Sequence, residues 1–322
     1  MIGKGGETLL KAGQKRTSAV NGKQSFIQEL KKDWRLYSLL VVPLLLIIIF
    51  KYIPMFGNII AFRKYRPGGS IFGETWVGLK YFKQFISDKT FWSAFQNTLT
   101  LSLRYLSVRI PATLIFAILL NEIKGKGFKK FVQTVSYLPK FISLVILCGM
   151  VKELVAADGP INRIITFFGG EGKSWISVAE AFPTIYVASG IWAMLGYGSI
   201  LYLAAMTNVN VELYEAAKID GANRFKQILH VLIPGIMPTI ATLMILDIGQ
   251  IMTVAYEKVL LLYNPMTYST ADVISTYLYR LGIESASFSY AAAIGLFEGI
   301  VGCILIVSAN ALSKKFAETS LW

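Results

Sequence analysis

Long apolar runs alternate with short polar intervals along most of the chain. A helix needs roughly twenty residues to cross the hydrocarbon core of a bilayer, and six of the runs reach that length. Predicted membrane-spanning helices cover residues 36–62, 94–120, 131–151, 182–206, 235–261 and 290–312. The pattern therefore predicts an all-α integral membrane protein with six transmembrane helices.

Prolines lie inside or close to these runs, at Pro43, Pro54, Pro111, Pro139, Pro183 and Pro238. Within a membrane, neighbouring helices and side chains can satisfy the carbonyl groups that a proline leaves unpaired. We therefore expect kinked helices at these positions and no loss of a span.

The composition supports this assignment. Apolar residues make up 54% of the chain and charged residues 16%, with a mean hydropathy of +0.55, whereas ordinary soluble domains are about a quarter charged. The net charge of +13 is spread over the ends of the apolar runs. Such charges orient membrane helices, so we expect contact with the lipid bilayer and no binding of nucleic acid.

Lysine and arginine residues are more frequent in alternate intervals, beginning with the N-terminal tail. Cytoplasmic loops of membrane proteins carry this excess. The pattern predicts that both termini are cytoplasmic, with tails at residues 1–35 and 314–322 flanking a six-span domain at residues 36–313. The first apolar run is too long for a cleaved signal peptide, so we expect it to remain in the mature protein.

Three further stretches have features of their own. Residues 63–93 are rich in aromatic residues, which favour the membrane–water interface, so we expect a short helix lying on the membrane there. Residues 158–175 carry apolar positions at helical spacing and predict a small packed cap. Small residues recur in the sixth run, at Ala291, Gly295, Gly299 and Gly302. They would let another helix approach closely, within this chain or from another subunit.

Ionisable groups inside a membrane are costly and usually face protein or water. The predicted spans contain Lys51, Arg104, Arg109, Lys140, Asp247, Glu257, Lys258 and Glu298. Four of them, at positions 51, 140, 257 and 258, lie near the ends of runs, from where a side chain can reach the interface. Asp247 and Glu298 are deeper. They can line a polar path, pair with neighbours or relay protons, and the last role would make the chain an ion-coupled secondary sugar transporter that uses Asp247.

The chain contains no phosphate-binding loop of the G-x-x-x-x-G-K-[ST] type and no G-x-G-x-x-G after a predicted strand. No nucleophile, base and orienting residue stand out as a set. Neither Cys148 nor Cys303 has a metal or disulfide spacing. We therefore predict no catalysis and no metal or cofactor in this chain, so the energy for active transport would come from another protein.

The interval between the fourth and fifth runs, residues 211–234, is polar and of helix–turn–helix length. Glu215-Ala216-Ala217, three residues, Gly221, nine residues and then Val231-x-Ile233-Pro234 resembles the EAA motif of ABC-importer permeases. Val231 and Ile233 differ from the family's isoleucine and leucine but keep apolar side chains of similar size. Asp220-Gly221-Ala222 is also similar to the family's DGA.

Other segments are similar to the carbohydrate-uptake branch of that family, and within it to the LplB-type permeases of polysaccharide and oligosaccharide importers. They are residues 52–57, 61–62, 76–79, 97–99, 135–139 and 277–280. The resemblance implies the type I importer permease fold with MalF-like topology, in a bacterial cytoplasmic membrane. It also implies the partners: a second, different permease, two ABC ATPase subunits that bind ATP and Mg, and an extracellular solute-binding lipoprotein that delivers a carbohydrate substrate.

The residues of this interval suit the role that the resemblance implies, contact with an ATPase. The two alanines are small enough for another protein to approach closely, and Glu215 offers a charge to an ATPase arginine. Gly221 can adopt the positive φ that ends one helix and starts the next. Pro234 marks the return of the chain to the bilayer. The coupling segment, residues 207–234, would then carry motion into the spans.

The implied function is that of a permease subunit of an ATP-driven, binding-protein-dependent importer, forming half of a pathway that opens alternately to each side. We expect sugar contacts from aromatic faces and amides in the later spans, with Tyr197, Gln250 and Tyr256 as candidates. The secondary transporter is the main alternative. A membrane scaffold or receptor that transports nothing is the second.

Overall fold

The computed structural model describes residues 31–253 and 256–316. Most of the predicted tails at residues 1–35 and 314–322 lies outside these ranges. The described chain is helical apart from one two-stranded hairpin, in agreement with the predicted all-α membrane class.

The α-helices are α1 Trp34–Ile47, α2 Ile53–Phe56, α3 Lys80–Ile86, α4 Lys89–Glu122, α5 Lys126–Tyr137, α6 Leu144–Leu154, α7 Pro160–Phe167, α8 Phe182–Thr207, α9 Val211–Ile219, α10 Arg224–Gln227, α11 Ile233–Gly235, α12 Met237–Gly249, α13 Tyr256–Leu262, α14 Tyr268–Ala271, α15 Ile274–Tyr279 and α16 Phe288–Phe316. The hairpin strands are β1 Arg63–Lys64 and β2 Thr75–Trp76. π-Helical turns at Ile48–Tyr52 and Ile228–Leu232 join α1 to α2 and α10 to α11.

Four helical segments are long and apolar enough to cross a membrane: Trp34–Phe62, Lys89–Glu122, Ala179–Thr207 and Phe288–Lys315. Two pairs qualify as bent spans, namely Lys126–Phe141 with Leu144–Leu154 and Arg224–Gly235 with Met237–Gly249. With each pair counted as one span, the described part of the chain has six spans, the number predicted from the sequence.

The third predicted run, residues 131–151, is not one helix. The chain turns by 101° between α5 and α6. Pro139 lies just before the turn, in a short 3-10 segment. Ser143 then starts α6 by accepting a hydrogen bond from the amide of Ile146 at 3.4 Å, which satisfies one of the free amides at a helix start.

The fifth predicted run, residues 235–261, is wrong at both ends. Its helix begins at Arg224, bends by 61° after Gly235 and ends at Gly249. The last residues of the predicted run belong to α13, a separate helix that packs against α6.

Polar side chains of α4 hold the backbone that follows α12. Ser102 Oγ donates to the Ile251 carbonyl oxygen (2.6 Å), Asn97 Nδ2 donates to the carbonyl oxygens of Ser269 and Asp272 (3.0 Å each), and Thr98 Oγ1 accepts from the Ile274 amide (2.9 Å). Non-helical backbone at membrane depth needs such partners, because each unsatisfied group costs several kcal/mol.

The chain divides into two compact units between Asn58 and Ile59. The first unit contains α1 and α2, in which no residue is buried. Apolar helices of this kind suit direct contact with lipid.

In the second unit, α4 packs along α8, and α5 also contacts α8. Glycines of α8 permit these approaches. A Cβ added at Gly190 would stand 2.7 Å from the Tyr105 ring, and one at Gly196 would stand 2.3 Å from the Ser136 carbonyl oxygen. Small residues at such points let membrane helices come close together.

The interval at residues 63–93 contains the expected short helix, α3, and its position on the membrane stays a prediction. The Phe85 side chain is fully buried. Its ring lies 4.7 Å from that of Phe91 and 5.5 Å from that of Phe297, between ring centroids. Phe85 therefore joins an internal cluster with α4 and α16, whereas Trp76 and Trp92 are exposed.

The stretch at residues 158–175 forms the predicted packed cap around a buried asparagine. Asn162, in α7, donates to the carbonyl oxygens of Ala156 (2.6 Å) and Lys173 (2.7 Å). Its side-chain oxygen accepts from Trp175 Nε1 at 2.8 Å. One amide thus fixes three parts of the cap.

Of the small residues of α16, Ala291 lies close to Gly282, where an added Cβ would stand 3.2 Å from the Ala291 Cβ, but the three glycines bring no other described helix close. A Cβ added at Gly295, Gly299 or Gly302 would meet no atom of the described residues within 4 Å, the helix's own neighbouring backbone aside. Close approach by a helix of another subunit stays a prediction.

We predict that Gly196→Ala destabilises the protein, because the new methyl group would overlap the Ser136 carbonyl group. Overpacking of this kind costs about 1–3 kcal/mol, which corresponds to a fall of at least about 3 °C in melting temperature. Thermal unfolding of the detergent-purified protein measures the change.

Gly149→Ala is the matched control, since Gly149 lies within helix α6 and a Cβ there meets no described atom within 4 Å. It should keep or slightly raise the melting temperature. Equal melting temperatures for the two variants would contradict the assigned contact of α8 with α5.

Candidate functional site

Helix α9 begins the segment that carries the sequence motif, and side-chain and backbone caps define its ends. Asn210 accepts a hydrogen bond from the Glu212 amide at 3.0 Å. At the other end, the Ala222 amide donates to the Ala217 carbonyl oxygen at 2.9 Å, and Gly221 has a φ of +77°. This left-handed glycine ends the helix as the sequence predicted.

The motif residues of α9 face outward. Glu215 and Ala216 are exposed and Ala217 is half-buried, while Asp220 and Gly221 are exposed in the turn. Glu215 makes no hydrogen bond or ion pair with any residue between 31–253 or 256–316. Its carboxylate is therefore available to another protein.

The second half of the segment is a rigid continuation of a span. Asn223 caps α10 by accepting from the Lys226 amide at 2.9 Å, and the chain stays helical through to Gly235. Val231 and Ile233 are half-buried and Pro234 is exposed. These three residues belong to one helical rod that precedes the 61° bend into α12.

The outward surface of the segment is apolar as well as charged. Ile219 is 86% exposed and Phe225 72% exposed, and Leu213 is also exposed. Tyr214 and Ile228 instead pack inward, on a core cluster built around Leu232 of the rod and α4 and α8 residues. The segment is thus anchored on one side and open on the other, as a docking surface requires.

A bidentate ion pair fastens this segment to α4. Arg224 Nε and Nη2 donate to the two carboxylate oxygens of Glu122 at 2.7 and 2.8 Å. The Arg224 guanidinium also lies 5.5 Å from the centroid of the Tyr214 ring, and burial raises the pKa of that phenol. The sequence offered no signal for a pair 102 residues apart.

The deep carboxylate Asp247 is also paired. Its side chain forms an ion pair with Arg109 of α4. Both residues line a cavity of about 350 Å³ that also includes Tyr197. The sequence singled out both charged residues, but their partnership was only one of the roles considered.

The three candidate sugar contacts do not form one site. Tyr197 lines the cavity of the Arg109–Asp247 pair. Tyr256 lines a different cavity, together with Thr253. Gln250 joins the second group, because its side-chain oxygen accepts from Thr253 Oγ1 at 2.7 Å.

Lys258 does not reach the interface, so that expectation was wrong. It is only 6% exposed. Its ammonium group donates to the Tyr186 carbonyl oxygen at 2.7 Å and lies 4.3 Å from the centroid of the Tyr186 ring. Because α13 packs inward against α6, its lysine points into the protein.

The described residues contain no group of three or more histidine, cysteine, aspartate or glutamate side chains that could hold a metal ion. The candidate site consists instead of an exposed helical segment, an ion pair that links this segment to α4, and cavities between helices.

The chain is similar in sequence to a known protein family and to individual transport proteins. Residues 109–318 match the model of the family described as binding-protein-dependent transport system inner membrane component. The Bacillus subtilis (strain 168) polygalacturonan/rhamnogalacturonan transport system permease protein YteP is 41% identical over 89% of this chain and 90% of its own length. Protein LplB of the same organism is 41% identical over 92% of this chain and 94% of its own length.

A solved structure is also similar. It is a bacterial ABC transporter involved in the import of the acidic polysaccharide alginate. One of its chains superposes with a TM-score of 0.83 and 38% identity, covering 91% of this chain and 99% of that chain. The same transporter has been solved with a periplasmic protein that holds an alginate pentasaccharide.

We predict that Glu122→Gln and Arg224→Gln each loosen the segment, because either change removes the charge pairing. A partly exposed pair contributes up to about 1 kcal/mol, so amide hydrogen exchange at residues 211–227 should speed up by up to about fivefold. Hydrogen exchange read by mass spectrometry measures this.

The exchanged pair, Glu122→Arg with Arg224→Glu, should restore part of the protection. Equal exchange rates in the wild-type protein and both single variants would show that the Glu122–Arg224 ion pair does not stabilise the segment.

Proposed function

This chain belongs to the family of binding-protein-dependent transport system inner membrane components, and from that membership we propose its place in an importer. It is a permease subunit that forms half of the pathway of an ATP-driven importer for an oligosaccharide or polysaccharide. The family consists of transport components and not of enzymes. ATP and Mg would be bound by partner ATPases.

The observation that carries this proposal is the exposed segment with motif spacing on a rigid support. Glu215 has no partner among the described residues and lies in the helix that the left-handed Gly221 ends. Exposed apolar side chains, Ile219 and Phe225, surround the turn. An ATPase surface with an arginine and an apolar groove would match this combination.

The mechanism follows from how the segment is attached. The rod from Arg224 to Gly235 leads directly into α12, and the Glu122 pair attaches it to α4. Displacement of the docked segment would therefore move both helices as rigid bodies. Closure of two ATPases would turn the pathway outward, and hydrolysis would return it inward.

The remaining partners and the orientation are part of the proposal. A second, different permease would complete the pathway, and an extracellular solute-binding lipoprotein would deliver the sugar. Both termini would lie in the cytoplasm of a bacterial cell, on the same side as the docking segment. The excess of basic residues in the predicted cytoplasmic intervals supports this orientation.

The substrate class is supported by the relatives, which transport polygalacturonan or rhamnogalacturonan and, in the solved structure, alginate. Tyr197 in one cavity, and Gln250 and Tyr256 at another, stay proposed sugar contacts. Aromatic faces and amides suit the apolar faces and hydroxyl groups of sugars.

The ion-coupled alternative has lost its main support. It needs Asp247 as a carboxylate that can take up and release a cation or proton. Asp247 is instead held in an ion pair by Arg109, so this carboxylate already has a partner within the chain. Membership of the transport family also removes the scaffold alternative.

We predict that Glu215→Lys abolishes sugar-dependent stimulation of ATP hydrolysis in the assembled importer, because it places a like charge opposite the ATPase arginine. Uptake should fall by at least about tenfold, since losing a desolvated charge contact costs about 2–5 kcal/mol. Both are measured in proteoliposomes that contain all subunits.

Glu212→Lys is the matched control, because Glu212 lies on the same helix, is exposed and falls outside the motif. Its uptake should stay within about threefold of the wild type. Normal uptake by Glu215→Lys with the ATPase still attached would refute the proposed docking.

A further inference from the structure

A cavity of about 420 Å³ between α4, α8, α13 and the turn before α6 is lined by two lysines. Lys140, Lys258, Tyr105 and Tyr186 contribute to its wall, and no aspartate or glutamate of the described chain does. Small-molecule sites in proteins measure about 300–1,000 Å³. The cavity is therefore large enough for a ligand and carries an unbalanced positive charge.

Lys258 is a buried cation with no anion beside it. The side chain is 6% exposed, and its hydrogen-bond partner among the described residues is the Tyr186 carbonyl oxygen. An ammonium group has three donors, so one carbonyl oxygen leaves it incompletely satisfied. Burying a charge is costly unless it is paired and hydrogen-bonded. A ligand anion would supply what the chain does not.

Helix α8 leaves room around this ammonium group. Gly190 of α8 faces this group, and a Cβ added there would stand 3.0 Å from Lys258 Nζ. The glycine thus keeps side-chain atoms away from a group that a ligand would need to reach.

Lys140 places a second positive charge in the same cavity. It is exposed, and its Nζ lies 5.6 Å from the centroid of the Tyr197 ring. No ion pair joins it to a residue of the described ranges. Two ammonium groups without a carboxylate partner among the described residues, together with tyrosine rings, combine an anion contact with aromatic faces.

The other two cavities of this region are less suited to an anion. Arg109 is already neutralised by Asp247. The cavity that Tyr256 lines also holds Glu257 and Glu298, and two carboxylates would repel a third. Of these three cavities, the one lined by Lys140 and Lys258, here called the lysine cavity, is therefore the best suited to bind an anion.

We propose that the lysine cavity binds a carboxylate of an acidic saccharide, so that the cargo of this importer is a chain bearing uronic acids. Lys258 and Lys140 are the carboxylate contacts and determine this specificity. The inference rests on the proposed transport function. It is consistent with the relatives that carry polygalacturonan and the acidic polysaccharide alginate.

The test uses the complete importer in proteoliposomes, with this chain, its partner permease, its ATPases and its binding protein. Trigalacturonate is the acidic probe and its methyl ester the neutral one. Lys140→Met and Lys258→Met should each lower ATP-dependent uptake of trigalacturonate at least tenfold, a loss equal to about 1.4 kcal/mol. Lys140→Arg, which keeps the charge, should stay within threefold. The same binding protein serves every variant, so these ratios report on this chain.

Lys152→Met is the matched control, because Lys152 is exposed on α6 and does not line the cavity; it should stay within twofold. If Lys258→Met fails to assemble, the exposed Lys140→Met decides alone. Uptake within twofold of the wild type for Lys140→Met, or equal losses for the acidic and neutral probes, would overturn the inference. ATP-dependent uptake of the methyl ester without trigalacturonate would overturn it and leave the proposed function standing. No ATP-dependent uptake of either probe would overturn the inference and leave the proposed function to the Glu215→Lys test.

Discussion

Helices that break inside a membrane protein leave backbone groups that only other protein groups can satisfy, and the second unit of this fold depends on how that need is met. Residues 250–253, after α12, are not helical, and the helices α13, α14 and α15 are short. Asn97, Thr98 and Ser102 of α4 bind backbone groups of Ile251, Ser269, Asp272 and Ile274. A donor or acceptor left unpaired there would cost several kcal/mol, so α4 fixes the chain at these four residues.

The same helix carries the two ion pairs that link distant parts of the fold. Near its middle, Arg109 meets Asp247 of α12, and at its end Glu122 meets Arg224 of the rod that leads into α12. Both ion pairs therefore connect α4 to the bent span formed by Arg224–Gly235 and α12, at two points. Two attachments resist relative rotation as well as separation, which suits a segment that transmits a push from outside the membrane into the spans.

Hydrophobic length predicted the six spans and their approximate places, because a helix that crosses a bilayer needs a run of fixed size. The prolines at positions 139 and 238 predicted bends near the two breaks, but neither the size of the bends nor the true bounds of the fifth run was predicted, since apolar composition is the same on both sides of a bend. The motif spacing predicted the turn at Gly221, where positive φ demands a glycine. The Glu122–Arg224 ion pair and the burial of Lys258 depend on contacts between residues far apart in the sequence. The spacing of residues along the chain does not predict such contacts.

Some charged groups inside the second unit are paired with an opposite charge and serve the structure, whereas Lys258 has no such partner and suits ligand binding. Arg109 and Asp247 neutralise each other, so their environment is complete without a ligand. Lys258 is more deeply buried than either of them, yet a single neutral carbonyl oxygen receives its hydrogen bond. A protein that needed only stability would gain from an apolar side chain at that position, because burying an unpaired charge is unfavourable. A lysine beside an open cavity is explained if the transported saccharide supplies the anion that pairs with it. Because a second lysine lines the same cavity, a carboxylate, which can accept hydrogen bonds from both ammonium groups, is the anion that fits best.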